Sequence, residues 1–246
     1  MALIALVAGV AGMVLAGSLV YSGMMPRKFT PAEQQQIMAW EVAARWRELP
    51  AGVIFPATAT YPPPSTLQDG GALTLEARRL GIARGVPCDQ AADTAAAGIL
   101  DAGGCEGLLR STYLDETGTF LVTVAVAAFP GVAQAHKASQ ALTAPRLTHA
   151  GHPGVLAPGV RAATFAGTPA EAFTDSKRQV AGSVSDGPYI VLYAIGYADG
   201  RPKVPVDVDG YTYAEMTSMG QGLARAIARK LTVPPPVPSC PGAPGC

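Results

Sequence analysis

The stretch from Ala2 to Met25, ALIALVAGVAGMVLAGSLVYSGMM, contains no charged residue and no proline. As a helix that rises 1.5 Å per residue, it would extend about 36 Å, enough to cross a hydrocarbon core of about 30 Å with some tilt. A cleaved signal peptide is the alternative. Such peptides have an apolar region of about 7–15 residues between a basic segment and a small-residue cleavage site. No basic residue precedes this run and no A-x-A site follows it, so the sequence predicts an uncleaved membrane anchor.

Two features of the sequence favour opposite orientations of this anchor. Arg27 and Lys28 follow the apolar run directly, and the positive-inside rule would place the rest of the chain in the cytoplasm. An even number of cysteines favours an oxidising compartment, where disulfides persist. A basic leader before Met1 would also reverse the bias of the two charges. We expect residues 26–246 to lie outside the cytoplasm.

Composition excludes some classes of function for the rest of the chain. Hydrophobic residues make up 49% of the sequence, which suits a globular domain, and the 18 basic and 18 acidic residues cancel. No basic stripe with interleaved aromatic residues occurs, so nucleic-acid binding is not expected. The sequence predicts residues 1–25 as a transmembrane anchor, 26–50 as a juxtamembrane helix, 51–232 as an extracytoplasmic domain and 233–246 as a tail rich in proline and glycine.

The four cysteines form two pairs along the chain. Neither Cys88 with Cys105 nor Cys240 with Cys246 has the C-x₂₋₄-C spacing of a zinc site. Free buried thiols remain an alternative, but disulfides suit the expected compartment better. We predict a bridge between Cys88 and Cys105, while Cys240 and Cys246 pair with each other or stay exposed.

The sequence also predicts where the helices lie. Thr30-Pro31-Ala32-Glu33 combines a capping box with a proline at the first helical position, which predicts a helix to about Leu49. We expect Trp40 and Trp46 on this helix to pack against other elements. The further predicted helices are Asp89–Ala102, Val132–Leu142 and Tyr213–Leu231.

The strands are predicted from short apolar runs and turn signals. Ala51–Tyr61 is expected at a sheet edge because Pro56 interrupts it. Leu73–Arg84 is ambiguous between helix and strand, and its β-friendly residues favour a strand. The further predicted strands are Cys105–Leu114, Thr119–Phe129, Val160–Phe165, Arg178–Val184 and Tyr189–Tyr197.

Tight turns between these strands predict an antiparallel sheet, with helices packed over one face of it. The fold class is therefore α+β. GTFLVTVAVAAF and GPYIVLYAIGY align with each other and each precedes a helix, which suggests a β-β-α repeat.

The search for chemistry yields few candidates. His149 and His152 could supply two metal ligands, but nearby carboxylates or thiolates are missing, and His136 is expected on the solvated face of a helix. Asp207 and Asp209 have the spacing of the first two ligands of a calcium loop, but the distal glutamate of such a loop is missing. We therefore predict no metal site and no cofactor.

Nucleophile motifs are also missing. Ser183 and Ser185 lie in GSVSDGP, which lacks the strand–serine–helix context of a nucleophile elbow and is predicted to be a turn. Glu106, Asp115 and Glu116 flank the first hairpin and are expected to be solvated. The sequence predicts no catalytic residues.

Two segments carry a resemblance to a known group of proteins. AWEVAARWRELPAGVIFP (Ala39–Pro56) and GPYIVLYAIGYADGR (Gly187–Arg201) resemble segments of single-pass envelope proteins of unknown function from actinobacteria. The paired cysteines and the helix-covered sheet are similar, more loosely, to extracellular sensor domains of mycobacterial receptor kinases. The resemblance implies an external location and assigns no activity.

Three functions remain open at this point. We expect a membrane-anchored binding, sensing or scaffold domain without catalysis, with a protein partner in the envelope. A carrier of a small apolar envelope ligand is the first alternative, and an enclosed apolar pocket would favour it. An envelope hydrolase is the second, and convergent polar groups with perturbed pKa values would favour it.

Overall fold

The computed structural model describes residues 28–64, 73–148, 156–203 and 210–237. The chain divides after Trp40 into two units. The described residues of the smaller unit are 28–40 and 235–237, and the larger unit, from Glu41 to Pro234, contains the sheet. The predicted anchor, Ala2–Met25, lies outside the described residues, and no helix within them is long and apolar enough to span a membrane.

The helices and strands follow one another in a simple order. The helices are α1 (Pro31–Glu48), α2 (Ala51–Ile54), α3 (Cys88–Ala91), α4 (Thr94–Ala102), α5 (Val132–Thr148) and α6 (Gly210–Thr232). The strands are β1 (Thr58–Tyr61), β2 (Leu75–Val86), β3 (Gly107–Asp115), β4 (Phe120–Ala128), β5 (Val180–Asp186) and β6 (Tyr189–Tyr197).

The start of α1 is capped as the sequence predicts. The Thr30 amide donates to Glu33 Oε2 at 2.8 Å, and the Glu33 amide donates to Thr30 Oγ1 at 3.3 Å. This reciprocal pair satisfies two amides that a helix end leaves without partners. The packing prediction for Trp40 is wrong, because the residue is 79% exposed and α1 contains no fully buried residue.

The six strands form one antiparallel sheet in the order β1-β2-β3-β4-β6-β5. This confirms the predicted α+β class with an antiparallel sheet. β4 and β6 lie at the centre and pair along their whole length, with Val124 opposite Tyr193. The ambiguous segment that begins at Leu73 is a strand, as predicted, and β2 carries a register shift between Arg79 and Gly81.

Helices cover both faces of the sheet, so the prediction of a single covered face is wrong. On the first face, α6, α2 and the end of α1 pack against a cluster that includes Val124 and Tyr193. On the second face, α3, α4 and α5 pack against a cluster that includes Ala125 and Leu192. Every residue of β4 is buried, because side chains alternate between faces and both faces are covered.

The strand–strand–helix order occurs twice, as β3-β4-α5 and β5-β6-α6. Val124 and Tyr193 occupy equivalent positions in the two aligned segments, and they pair with each other in the sheet. This is expected if a two-fold axis perpendicular to the sheet relates β4 to β6. A rotation about such an axis does not exchange the two faces of the sheet, so it would place α5 and α6 on the same face. Since α5 and α6 pack on opposite faces, the order is repeated but the helix packing is not.

Three predicted elements differ from the structure. Ala51–Tyr61 is a short helix followed by a four-residue strand, because Phe55 and Pro56 separate the two. Asp89–Ala102 is two helices, since Asp93 accepts a hydrogen bond from the Ala96 amide at 3.0 Å and begins a new helix. Val160–Phe165 is not a strand and forms a single bridge, between Val160 and Ala92.

Residues 156–178 cross the second face instead, and we call them the crossing segment. The buried hydroxyl of Thr112 donates to the Ala163 carbonyl at 2.7 Å, and that of Thr123 accepts from the Ala163 amide at 3.0 Å. The two hydroxyls lie 2.8 Å apart. The hydroxyl proton of Thr112 is donated to the Ala163 carbonyl, so the Thr123 hydroxyl is the donor in the bond between the two threonines. Two strands therefore hold this segment through side chains, without a ladder.

Two carboxylates bind the main chain of the crossing segment: Asp93 from outside it and Asp175 from within it. Asp93 Oδ2 accepts from the Gly159 amide at 2.9 Å and lies 3.2 Å from Nη1 of Arg178, whose side chain is 9% exposed. Arg178 Nη1 also donates to the Val160 carbonyl at 2.8 Å. Asp175 accepts from the Ala162 amide at 2.8 Å. The main chain of the segment thus finds partners in place of strand neighbours.

Two further predictions, on Asp115 and on the Ser183–Ser185 turn, are wrong. Asp115 is 5% exposed, so it is not solvated, and its Oδ1 accepts from the Phe120 amide at 2.7 Å across the first turn. Glu116 is exposed, as predicted. Ser183 and Ser185 belong to β5 and not to a turn, and Ser185 accepts from the Ser139 hydroxyl at 3.1 Å.

Two fully buried tyrosines make the stability of the fold sensitive to alkaline pH. The hydroxyl of Tyr113 donates to the Pro56 carbonyl at 3.0 Å, and that of Tyr189 donates to the Val42 carbonyl. Burial raises the pKa of each to about 12. An unfolded tyrosine ionises near pH 10. Their contribution is therefore full below about pH 10 and is lost as the pH rises toward 12.

We expect the free energy of unfolding to fall by about 2 kcal/mol for each of these tyrosines between pH 10 and 12. Tyr113→Phe should cost about 1 kcal/mol at neutral pH through its lost hydrogen bond, and should remove its share of the alkaline loss. Urea denaturation from pH 8 to 12 measures both effects. Tyr211→Phe is the control, because Tyr211 is 49% exposed. Equal alkaline slopes for Tyr113→Phe and the native chain would contradict the expectation.

Candidate functional site

Cys88 and Cys105 form the predicted disulfide. The sulfur atoms are 2.02 Å apart and the Cα atoms 6.3 Å apart. The bond joins Cys88, the first residue of α3, to Cys105, which lies two residues before the start of β3. This is expected for two cysteines that flank one helical region. Cys240 and Cys246 lie outside the described residues, so their pairing stays a prediction.

An open cavity of about 480 Å³ adjoins this disulfide. That volume is in the range of small-molecule sites. Its wall is built from the end of β2, α3 and the start of β3. Both cysteines contribute to it, together with apolar side chains and three carboxylates. The lining side chains that matter below are Trp46, Cys88, Asp89, Asp101, Cys105 and Glu106.

Trp46 reaches the cavity because β3 begins with a glycine. A Cβ atom on Gly107 would lie 2.6 Å from the Trp46 ring, so any other residue there would displace the indole. The indole Nε1 is buried and has no acceptor among the described residues. The prediction that Trp46 packs against another element is confirmed. Its ring also forms a wall of the cavity.

The guanidinium group of Arg47 lies over the face of the Trp46 ring. The Arg47 guanidinium carbon lies 4.8 Å from the ring centre, and Arg47 Nη2 donates to Glu106 at 2.7 Å. The Arg47 side chain is 60% exposed, so solvent weakens this ion pair and it can open at little cost. An aromatic face beside a carboxylate is thus suited to holding a positive group.

The other candidate residues are not gathered at this cavity. His136 is exposed on α5 and lies 3.0 Å from the Gln140 amide group, as expected for a solvated helix face. His149, His152, Asp207 and Asp209 lie outside the described residues. Within the described part of the chain, no three histidines, cysteines or carboxylates are grouped to hold a metal ion.

Comparison with protein families, characterised proteins and solved structures finds no match. Sequence reasoning missed Asp89 and Asp101 as cavity residues, and it treated Glu106 as an ordinary solvated carboxylate. The only local signal was their position near the two cysteines that bridge.

Proposed function

We propose that this chain is a membrane-anchored, extracytoplasmic binding domain without catalysis, whose cavity takes a ligand that carries a cationic group. The observation that carries the ligand class is the position of Arg47, which rests on Trp46 and donates to Glu106. An external cation could take the same place and displace Arg47 from it.

The charge of the cavity supports this ligand class. Asp89, Asp101 and Glu106 line it, and Arg47 pairs with Glu106. A positive ligand would therefore meet two further carboxylates. An apolar ligand, which the carrier alternative requires, would have to remove these carboxylates from water at a cost.

The location rests on two further features. The Cys88–Cys105 disulfide is consistent with an oxidising compartment. The uncharged run Ala2–Met25 has the length of a membrane span. Together they support a domain that is tethered to the membrane and exposed outside the cytoplasm.

Ligand binding can be followed by the fluorescence of Trp46. Trp40→Phe removes the exposed second tryptophan, and argininamide serves as the cationic probe. We expect a saturable fluorescence change that Glu106→Gln weakens severalfold. Arg47→Met should strengthen binding, because it removes the internal competitor. Asp199→Asn, at an exposed pair with Arg201, is the matched control. No saturable change, or equal affinities for all variants, would contradict the ligand class.

Location has a separate test. A membrane-impermeant thiol reagent is applied to intact cells after mild reduction, and labelling of Cys240 and Cys246 is measured. We expect labelling before the cells are broken. Labelling only after lysis would place the domain in the cytoplasm, whatever the result at the cavity.

A further inference from the structure

Arg110 lies on the second face of the sheet and is not one of the residues that line the cavity. It occupies β3 between Ala83 of β2 and Ala125 of β4, and its side chain is half-buried. Its Nη1 donates to the Arg161 carbonyl of the crossing segment at 3.5 Å, at the limit of a hydrogen bond.

The rest of this guanidinium lacks partners among the described residues. Its Nε is buried and has no acceptor, and no carboxylate of the described chain lies within ion-pair distance. Buried charges in folded proteins are normally paired, because an uncompensated one forfeits its hydration. Arg110 as a whole is only half-buried, but its Nε has neither solvent nor an acceptor among the described residues.

The two carboxylates that bind the main chain of the crossing segment are already engaged. Asp93 lies 3.2 Å from Arg178, and Asp175 lies 3.6 Å from Arg178 and 3.4 Å from Arg161. Among the described residues, these two carboxylates pair with Arg178 and Arg161, and neither pairs with Arg110. Loss of water lowers the pKa of Arg110, Asp175 partly opposes this, and the charge of Arg161 lowers the pKa further. The carboxylates that the structure describes therefore leave the charge of Arg110 without an ion-pair partner.

We propose that Arg110 binds an oxyanion, a carboxylate or phosphate group of a small ligand, through its Nε and Nη2 donors. These two N–H groups point the same way on one edge of the planar guanidinium and match two oxygens of such a group. Nη1, which holds the crossing segment, stays in place. This site is independent of the cationic ligand proposed for the cavity, because Arg110 is not part of the cavity lining.

The test measures the thermal midpoint of the full chain in neutral detergent. Sodium phosphate and sodium acetate are titrated against sodium chloride at matched ionic strength. We expect a saturable rise with one or both oxyanions and none with chloride. The more effective of the two identifies the preferred group.

Variants then locate the effect. Arg110→Met should abolish the rise. Arg110→Lys keeps the charge but loses the parallel donors, and should weaken binding at least tenfold. Arg84→Met is the matched control, because Arg84 is exposed on β2 and its substitution changes the net charge equally. We expect it to respond like the native chain.

Two results would overturn the proposal. The first is a native response to oxyanions no larger than that to chloride, which would indicate an adventitious salt effect only. The second is an Arg110→Met or Arg110→Lys variant that binds as tightly as the native chain. If Arg110→Met does not fold, the native titration and the lysine variant still decide the matter.

Discussion

Replacing Arg178 with methionine should lower the free energy of unfolding by about 3 kcal/mol or more. Its guanidinium lies 3.2 Å from Asp93 and donates to the Val160 carbonyl at 2.8 Å, and its side chain is 9% exposed. Removing one partner of a buried ion pair leaves the other charged and poorly hydrated, which typically costs about 3–5 kcal/mol. The main chain of the crossing segment would also lose an anchor.

Urea denaturation at pH 7 measures this loss. Arg161→Met is the matched control, because Arg161 belongs to the same network and lies 3.4 Å from Asp175, but its side chain is 43% exposed. The control should lose less than about 1 kcal/mol. A loss in Arg178→Met no larger than in the control would show that the buried network does not hold the crossing segment.

Removal of the Cys88–Cys105 disulfide should cost about 3 kcal/mol in the chain-entropy model of a loop of this size. In a domain of about 200 residues this corresponds to a fall of about 6–12 °C in the thermal midpoint. Calorimetry of the paired variant Cys88→Ser/Cys105→Ser checks the value. The variant should also weaken argininamide binding, because the disulfide forms part of the cavity wall.

The remaining cysteines provide the control for this prediction. Cys240→Ser/Cys246→Ser should leave the midpoint nearly unchanged, since those residues lie in the predicted tail rich in proline and glycine. Equal midpoints for the native chain and Cys88→Ser/Cys105→Ser would show that the bridge does not stabilise the fold.

Local signals accounted for most of the sheet. The run Tyr189–Tyr197 was predicted with the bounds it has in the structure, because its continuous apolar character and the preceding Gly187-Pro188 turn act over a few residues. The Thr30–Glu33 cap and the Cys88–Cys105 bridge were predicted for the same reason. In each case the partners are near in sequence, or flank one short element.

The candidate sites could not be predicted in the same way. Trp46 meets Gly107 across some sixty residues, and the ring fits only because that position has no Cβ. Arg110 contacts Arg161 from a different element, and nothing beside either residue in sequence indicates the contact. Such pairs depend on which elements the fold brings together.

Short-range signals in the sequence predict the positions of most strands and helices, the antiparallel sheet and, as the favoured pairing, the disulfide between Cys88 and Cys105. Long-range contacts are the reason that both faces are covered and that residues 156–178 cross the second face without becoming a strand. Periodicity, turns and caps act between neighbours, whereas the crossing segment is held by Thr112, Thr123 and Arg178, which only the folded chain places beside it.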